Sequence, residues 1–183
     1  MTELALPLVV RIERDAPPER TDALEAAAQA VLVMLDTDVE PWLPVVREWD
    51  GQRIRKVVRR ARGVAWHRAV EDVAGVTVTH RSAEVRVYPP VPVDDWPPEL
   101  ARLQVGGTEL DDQAASGPPD PDAPLVLLSP HAEMSAGKAM AQAGHAAQLG
   151  WRACSPRGRK TWRGRGYPVG VRTASAAGWT RAL

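Results

Sequence analysis

In the first half of this chain, stretches with the two-residue period of β-strands are followed by stretches with the composition of helices. Leu6 to Ile12 alternate as in a β-strand, and the alanine-rich stretch Arg20 to Leu35 consists of good helix formers. Ile54 to Arg60 predicts the next strand, and Gly63 to Val73 predicts the next helix. A loop that contains Trp42 and Trp49 is predicted between these two pairs of elements.

Shorter apolar runs continue the pattern up to residue 110. Val76 to Thr79 and Glu84 to Tyr88 predict two short strands, and Asp94 to Leu103 predicts a short helix opened by prolines. Asp111 to Pro124 is rich in Asp and Pro, which is typical of a linker. We therefore expect an α/β fold with a first unit at 1–110, a linker at 111–124 and a second unit at 125–183.

The second unit opens with the stretch that carries most of the predicted chemistry. Leu125 to Leu128 form a short apolar strand, and Ser135 stands at the N-cap position of an alanine-rich helix. Lys138, Gln142 and His145 follow at i, i+4 and i+7, so they project from one face of that helix. A second stripe lies on another face of the helix, and the abundance of Ala and Gly would let the helix lie close against its neighbour. This stripe contains Met140, Gly144, Ala147 and Trp151.

Lysine at position 138 is unusual in a chain with 20 Arg and three Lys, the other two being Lys56 and Lys160. Arginine serves wherever a generic positive charge is needed, so a lysine indicates a compact, titratable ammonium. At the third helical position the helix dipole disfavours a cation unless an anion is bound, and free backbone N–H groups would complete an anion site. A solvated lysine on an ordinary amphipathic helix is the alternative. A nucleotide-binding phosphate loop is excluded by Ala132 and Ala139, which stand where it needs Gly and Ser or Thr.

The chain also repeats itself at an offset of 113 residues, the difference between Gln142 and Gln29. Four of the seven tryptophans form two pairs at this offset, which chance does not readily produce. The matched pairs are Trp49 with Trp162, Gly51 with Gly164, Val58 with Val171, Arg59 with Arg172, Trp66 with Trp179 and Arg68 with Arg181. We therefore expect two related α/β units, of which the second lacks about 40 residues at its end.

The start of the second unit resembles a known family. Met134, Gly137, Lys138, Ala141, Gln142, His145 and Ala146 follow an apolar strand at the spacing of the opening motif of type 2 (archaeal and eukaryotic-type) peptidyl-tRNA hydrolases. That family cleaves the ester between a stalled peptide and the 3′ ribose of tRNA, without a metal or organic cofactor. The resemblance implies a tandem relative of the family, built from two small mixed sheets with packed helices.

The resemblance also implies roles for three residues of the helix. Lys138 would stabilise the oxyanion or hold the terminal phosphate, and Gln142 would orient the attacking water or the peptide carbonyl. His145 would hold the geometry of the site or shuttle a proton. These three residues are the predicted catalytic residues.

The sequence departs from that family in three places. Gly144 stands where the family usually has serine. The family's Asp-Ala-Gly-x-Thr stretch supplies an acid to the active site, but the first unit has Gly75 to Ser82 there and the second unit ends before it. In the repeat register Glu25 replaces Lys138 and Leu32 replaces His145, so the first unit resembles a non-catalytic partner.

Charge is distributed unevenly although its total is zero. Residues 1–116 carry 14 basic and 20 acidic side chains, a net charge of −6; residues 117–183 carry nine and three, a net charge of +6. A polyanion such as tRNA should therefore meet the C-terminal part, where basic residues and tryptophans alternate. The predicted RNA-binding residues are Arg152, Arg157, Arg159, Lys160, Arg163 and Arg165. A solvated loop with Trp162 in the core is the alternative, and the basic run Arg53 to Arg62 is predicted to be one outward face of a strand.

Few residues indicate a metal or a disulfide. Cys154 is the single cysteine, so it has no intramolecular partner. The spacing of His131, His145 and Cys154 fits no zinc site, His67 and His80 have no predicted constellation around them, and no metal or cofactor is expected. A signal-like start and a bilayer-spanning apolar run are both missing from the sequence, so we expect a soluble cytoplasmic protein.

Peptidyl-tRNA hydrolysis is the leading functional hypothesis at this point. A catalytically inactive tRNA- or RNA-binding relative is the alternative, which the missing acidic stretch favours, and a structural pseudo-dimer is a third possibility. We also expect the chain to be a shortened form of a protein about 40 residues longer, with an open sheet edge in its second unit. The missing extension would carry the Asp-Ala-Gly-x-Thr-like stretch, so the shortened chain should be weakly active or inactive. The open edge would allow a homodimer to form through the second unit.

Overall fold

The computed structural model describes residues 2–182 and confirms the α/β fold class. Seven strands and seven helices are formed in this part of the chain. The strands are β1 (Leu4–Arg11), β2 (Arg55–Ala61), β3 (Val76–His80), β4 (Ala83–Val87), β5 (Val91–Pro92), β6 (Leu125–Leu128) and β7 (Gly170–Thr173). The helices are α1 (Arg20–Leu35), α2 (Leu43–Asp50), α3 (Gly63–Glu71), α4 (Pro98–Ala101), α5 (Ala136–Ala153), α6 (Pro156–Gly164) and α7 (Ala176–Ala182).

The first five strands form one mixed sheet, sheet A, in the order β2-β1-β4-β3 with β5 pairing at the start of β1. β1 and β2 are parallel, from Ala5 opposite Arg55 to Arg11 opposite Ala61. β4 is antiparallel to both β1 and β3. The remaining strands, β6 and β7, form a parallel two-stranded sheet, sheet B, beginning with Leu125 opposite Gly170.

The central strand β1 is buried on both faces, which explains its nearly continuous apolar sequence. Leu6, Leu8 and Val10 point to one hydrophobic cluster, and Val9 points to a second cluster on the opposite face. The second cluster also contains Trp66 of α3, Tyr88 after β4 and Leu100 of α4. Sheet A is therefore covered by α3 and α4 on one side and by α1 and α5 on the other.

The helices α1 and α5 pack against each other and contact both sheets. α1 is buried around almost its whole circumference, with twelve buried residues among its sixteen. Its many alanines permit this burial, because a helix with small side chains can approach several neighbours at once. The alanines and Met140 of α5 belong to the same hydrophobic cluster as α1, β6 and β7, so both halves of the chain share one core.

The elements of the two halves recur in the same order, strand, helix, helix, strand, helix. Trp49 Nε1 donates a hydrogen bond to the carbonyl of Arg55, and Trp162 Nε1 donates one to the carbonyl of Pro168, both at 2.9 Å. Ile54 and Tyr167, which also match at the offset of 113, both have positive φ, of 51° and 57°. Matching backbone conformations and hydrogen bonds at matching positions are strong structural support for an internal repeat.

Several predicted elements differ from the structure. The stretch with Trp42 and Trp49 was predicted to be a loop, but α2 forms there because Val46 and Trp49, three residues apart, bury one face of a short helix. The basic segment after α5 forms the helix α6, whose N-cap Ser155 accepts a hydrogen bond from the Gly158 N–H. Within residues 2–182 no helix combines the length and the hydropathy that crossing a bilayer would need.

The close packing of α1 on α5 depends on a glycine. A Cβ atom at Gly144 would lie 2.7 Å from Val31 Cγ2, so the serine that the resembling family usually has at this position would clash. Both Val31 and Gly144 are buried in the shared core. Glycine at this position therefore lets the two helices approach each other.

We expect Gly144→Ala to lower the free energy of unfolding by about 1–3 kcal/mol, because the added methyl group overpacks the helix interface. Gly150→Ala on the same helix is the matched control, since a Cβ there would meet nothing within 4 Å. The control should raise the free energy of unfolding by about 0.5–1 kcal/mol through helix propensity. Urea unfolding followed by circular dichroism measures both values, and equal effects of the two substitutions would contradict the close contact.

Candidate functional site

The helix α5 carries the three predicted catalytic residues on one side. Its N-cap is Ser135, as predicted, and the Ser135 hydroxyl accepts a hydrogen bond from the Lys138 N–H at 3.3 Å. Lys138 and Gln142 are exposed and His145 is half-buried. Within residues 2–182 none of these three side chains forms a hydrogen bond or an ion pair, so their polar atoms are available to a ligand.

The backbone at the start of α5 is less available than the sequence predicts. The Gly137 N–H donates to the Thr108 carbonyl at 3.4 Å, and the Lys138 N–H donates to Ser135. The Ala139 N–H donates to the Ser135 carbonyl at 2.9 Å. The expectation of free N–H groups at this helix start is therefore wrong for these three residues, and any anion bound here would depend on the Lys138 ammonium.

Next to His145 the structure brings in a residue from the first half of the chain, Lys56 of β2. The Lys56 ammonium donates to Gln148 Oε1 at 2.5 Å and to the Ile54 carbonyl at 3.2 Å. It also lies 4.9 Å from the centre of the Trp49 ring. A Cβ atom at Gly144 would be 3.4 Å from Lys56 Cδ, which places the lysine directly against the middle of α5.

A chain of polar contacts continues from Lys56 along α5. Gln148 is fully buried and uses both ends of its amide, accepting from Lys56 and donating through Nε2 to Asp50 Oδ1 at 2.6 Å. Arg152, one turn further along the helix, donates to the same carboxylate oxygen at 2.7 Å. The network therefore satisfies a buried amide and joins α2 and β2 to α5.

Burial changes the proton affinity of the groups at this junction. Burial, with a contribution from the charge of Arg152, lowers the pKa of the Lys56 amine to about 7, although Asp50 acts in the opposite direction. Burial also lowers the pKa of the His145 imidazole, helped by the charges of Lys56 and Arg152. At neutral pH a neutral imidazole and a partly neutral amine thus lie close together, and both can accept a proton.

Sequence reasoning missed Lys56, although a signal for it was present. The rarity of lysine in an arginine-rich chain applies to Lys56 as much as to Lys138. Lys56 was hidden in the basic run Arg53 to Arg62, which was predicted to be one outward face of a strand. That prediction is wrong, because Lys56 faces α5 whereas Arg59 lies over the Trp96 ring at 4.4 Å on the opposite side of the sheet.

Most of the predicted RNA-binding side chains are already engaged within the protein. Arg152 binds Asp50, Arg163 binds Asp36, and Arg165 binds Asp120 at 2.7 Å. Arg159 donates to the Trp151 carbonyl at 2.8 Å. Two of the six side chains, Arg157 and Lys160, are exposed and have no such partner within residues 2–182.

The tryptophans of this region are also less available than an RNA-binding surface requires. Trp162 is only 6% exposed and belongs to the shared core, as the alternative interpretation of the sequence held. The guanidinium of Arg159 lies 3.9 Å from the centre of the Trp151 ring and covers one of its faces. Basic residues rather than stacked rings would therefore carry any contact with RNA on this side.

A second polar cluster lies on the other helix of the pair, around Glu25 of α1. The buried Glu25 carboxylate lies 2.7 Å from His80 Nε2 and accepts from Arg172 at 2.6 Å and from the Val171 N–H at 3.1 Å. Burial alone would raise the pKa of Glu25, but the hydrogen bonds from His80, Arg172 and Val171 lower it to about 2. Glu25 thus remains ionised and fixes β7 against α1.

His80, which the sequence left without a constellation, also lies near a second carboxylate. Ligand atoms of Asp22, Glu25 and His80 lie within 4.8 Å of one another, an arrangement that can hold a metal ion. Protein donors already occupy these oxygens, since Asp22 accepts from the Ser82 hydroxyl at 2.7 Å and Glu25 accepts from Arg172. The observed contacts are therefore those of an internal ion-pair network.

Comparison of this chain with known protein families, with curated proteins and with solved structures finds no match. The functional proposal below is therefore based on the geometry of this chain and on its sequence motif.

We expect the amine of Lys56 to titrate near pH 7, because its burial against Trp49 and α5 disfavours the charged form. NMR of the lysine ¹³Cε and ¹Hε nuclei would show one resonance with a midpoint near this pH. Lys56→Arg should remove that resonance and so assign it. A spectrum in which no lysine resonance moves between about pH 5.5 and 8.5 would contradict this environment for Lys56.

Glu25→Gln should lower the free energy of unfolding at pH 7 by about 3 kcal/mol, because it leaves Arg172 and His80 without their buried carboxylate. The folded-state pKa of about 2 lies below the ordinary 4.5, so the carboxylate stabilises the fold fully above pH 4.5. The difference between wild type and variant should therefore shrink as the pH falls from 4.5 towards 2.

Urea unfolding over this pH range gives the required measurement. Glu71→Gln, at an exposed position of α3, is the matched control and should change stability by less than about 0.5 kcal/mol. A difference for Glu25→Gln that stays constant with pH would show that folding does not lower the pKa of this carboxylate.

Proposed function

We propose that this protein hydrolyses the ester bond between peptide and tRNA in peptidyl-tRNA. The observation that carries the proposal is the side of α5 where Lys138, Gln142 and His145 project without internal partners. The residues there match the chemistry of ester hydrolysis, which needs a positioned water, a proton acceptor and a positive charge for the oxyanion. No metal and no organic cofactor is part of this proposal.

Each side chain has a role that its surroundings support. The His145 imidazole, whose pKa is lowered by burial and by the charges of Lys56 and Arg152, is neutral at pH 7 and takes a proton from the attacking water. Gln142, one turn towards the helix start, orients this water or the peptide carbonyl. Lys138, one turn further, supplies the charge that stabilises the oxyanion or holds the terminal phosphate of the tRNA.

Lys56 joins the proposed site, although the sequence alone did not predict it as a site residue. Its amine, with a pKa lowered by burial to about 7, belongs to the first half of the chain, and its side chain lies against Gly144, the residue before His145. We place it as a positioning residue that controls the charge around His145 through the Gln148 network. The first half of the chain would then contribute to a site on the second half.

We further propose that the chain is a tandem relative of the type 2 peptidyl-tRNA hydrolases. Support comes from the recurring order of elements and from the matching hydrogen bonds of Trp49 and Trp162. The first half has Glu25 where the second has Lys138, and Glu25 is bound within the protein. The first half would accordingly be a non-catalytic partner. The cytoplasm, where tRNA is used, is the proposed location.

A second candidate is a tRNA-binding relative without hydrolytic activity. It is favoured by the occupied N–H groups at the start of α5. It is also favoured because, within residues 2–182, no carboxylate contacts Lys138 or His145. Arg157 and Lys160, three residues apart on α6, would then form the basic part of the contact.

The possible homodimer is proposed to form through sheet B. Within residues 2–182, β6 and β7 pair only with each other, so each presents backbone groups along its outer edge. Light scattering at several protein concentrations would detect such an association.

We expect Lys138→Ala and Lys138→Arg each to slow release of peptide from an N-acylated aminoacyl-tRNA by at least about 100-fold, because a delocalised guanidinium does not replace the compact ammonium. Arg47→Ala is the control for loss of one positive charge, since Arg47 is exposed on α2. The rate should also rise with pH as His145 loses its proton, and the midpoint of this rise should lie below pH 6.5.

Filter binding of the same tRNA, measured at several salt concentrations, separates the two candidates. Release that depends on Lys138 supports the hydrolase. Salt-dependent binding without release supports the inactive relative. The absence of both binding and release would show that tRNA is not the partner.

A further inference from the structure

A cavity of about 350 Å³ lies where the parallel strands β1 and β2 of sheet A end. In open α/β sheets, the carboxyl ends of parallel strands are the usual position of ligand sites. The size is at the lower end of the range for small-molecule pockets. Its lining combines four arginines with four apolar residues: Arg14, Arg60, Arg62 and Arg102 with Ile12, Ala61, Ala65 and Leu103.

Three of the four arginines lack a partner in the protein. Arg14, Arg62 and Arg102 are exposed, and within residues 2–182 their side chains form no hydrogen bond or ion pair. This differs from the arginines elsewhere that are held by acids, such as Arg163 by Asp36 and Arg172 by Glu25. Three unpaired guanidinium groups around one cavity create a positive potential that favours an anion.

The fourth arginine is held in a fixed position at the rim. Arg60 donates to the Gly107 carbonyl at 2.9 Å and to Gln104 Oε1 at 2.7 Å. Gln104 lines the same cavity. A guanidinium that is already anchored loses little conformational entropy when it binds an anion, so Arg60 is a pre-organised part of the site.

The lining contains one carboxylate, Glu13, and two donors of the protein bind one of its oxygens. Glu13 Oε1 accepts from the Gly63 N–H and from Arg11 Nε, both at 3.0 Å. The Gly63 hydrogen bond and then the Arg11 contact lower the pKa of Glu13. Glu13 therefore binds the start of α3 and pairs with Arg11, which also pairs with Glu84 at 2.8 Å. The four arginines of the lining outnumber its single carboxylate, so positive charge is in excess.

The apolar part of the lining determines what kind of anion fits. Ile12, Ala61 and Leu103 line the cavity together with the arginines. An inorganic ion would leave this surface wet, whereas a phosphate attached to a flat organic group would cover it. Arginine binds phosphate oxygens in pairs through its planar fork, which a single ammonium cannot do.

We propose that this cavity binds a phosphate monoester that carries a nucleoside. The same chemical group occurs in a free mononucleotide and at the 5′ end of an RNA, and both would present it to Arg14, Arg62 and Arg102. This site is separate from Lys138 and does not depend on the proposed hydrolase function. The loop that holds Arg60 through Gly107 also contacts α5, since the Thr108 carbonyl accepts from the Gly137 N–H.

Calorimetric titration of the full chain with AMP tests the site. A triple variant, Arg14→Gln, Arg62→Gln and Arg102→Gln, should weaken binding of AMP by at least about tenfold at constant ionic strength. The matched control removes the same charge from exposed arginines outside the cavity, Arg47→Gln, Arg53→Gln and Arg68→Gln. The control should change the affinity by less than about threefold.

Two further titrations identify the source of the phosphate. A 5′-phosphorylated RNA oligomer that binds when its 5′-hydroxyl form does not supports a terminal phosphate on RNA. Binding of AMP alone supports a free nucleotide. Adenosine that binds as tightly as AMP, equal losses in the two triple variants, or no saturable binding of either phosphorylated probe would each overturn the proposal.

A thermal unfolding curve of each variant shows whether it is folded. Should the cavity triple variant fail to fold, the single substitutions Arg62→Gln and Arg102→Gln replace it. Each should then weaken binding of AMP by at least about threefold relative to Arg68→Gln, and unchanged affinity would overturn the site. Peptide release by these variants is measured separately, because it reports on Lys138.

Discussion

The packing of α1 against α5 is the interaction on which the rest of this structure depends. The two helices form one layer that contacts both sheets, and α1 is buried on nearly all sides as a result. Gly144 allows the approach, since any side chain there would meet Val31. Without this contact sheet B would have only two strands and too little apolar surface to be stable by itself.

Buried polar contacts then fix the two halves in one arrangement. Glu25 binds Arg172 and the β7 backbone, and Gln148 joins Lys56 to Asp50. Such contacts add little net stability, because desolvation offsets most of their attraction. A wrong register of the helices would leave these groups buried without partners, at a cost of about 3–5 kcal/mol for a charge. Apolar packing therefore holds the halves together, and the polar contacts select the register.

The same contacts explain part of the uneven charge distribution along the chain. The acidic first half and the basic second half partly neutralise each other, through Asp50 with Arg152, Asp36 with Arg163 and Glu25 with Arg172. Part of the positive charge that predicted a polyanionic partner is thus used to assemble the protein. The arginines that stay free around a cavity lie instead in the first half, at the ends of β1 and β2.

The local elements follow from the sequence alone. The bounds of α1, the N-cap Ser135 and the strand Leu125–Leu128 were predicted as they stand in the structure, because helix propensity, capping and period depend on neighbouring residues. The short helix α2 was missed, since eight residues with two buried positions give too weak a period. Which side chains meet depends instead on how the helices and sheets pack. Lys56 and Gln148 are 92 residues apart, and Glu25 and Arg172 are 147 apart. Their contact follows from the packing of α1 on α5, which no local pattern encodes.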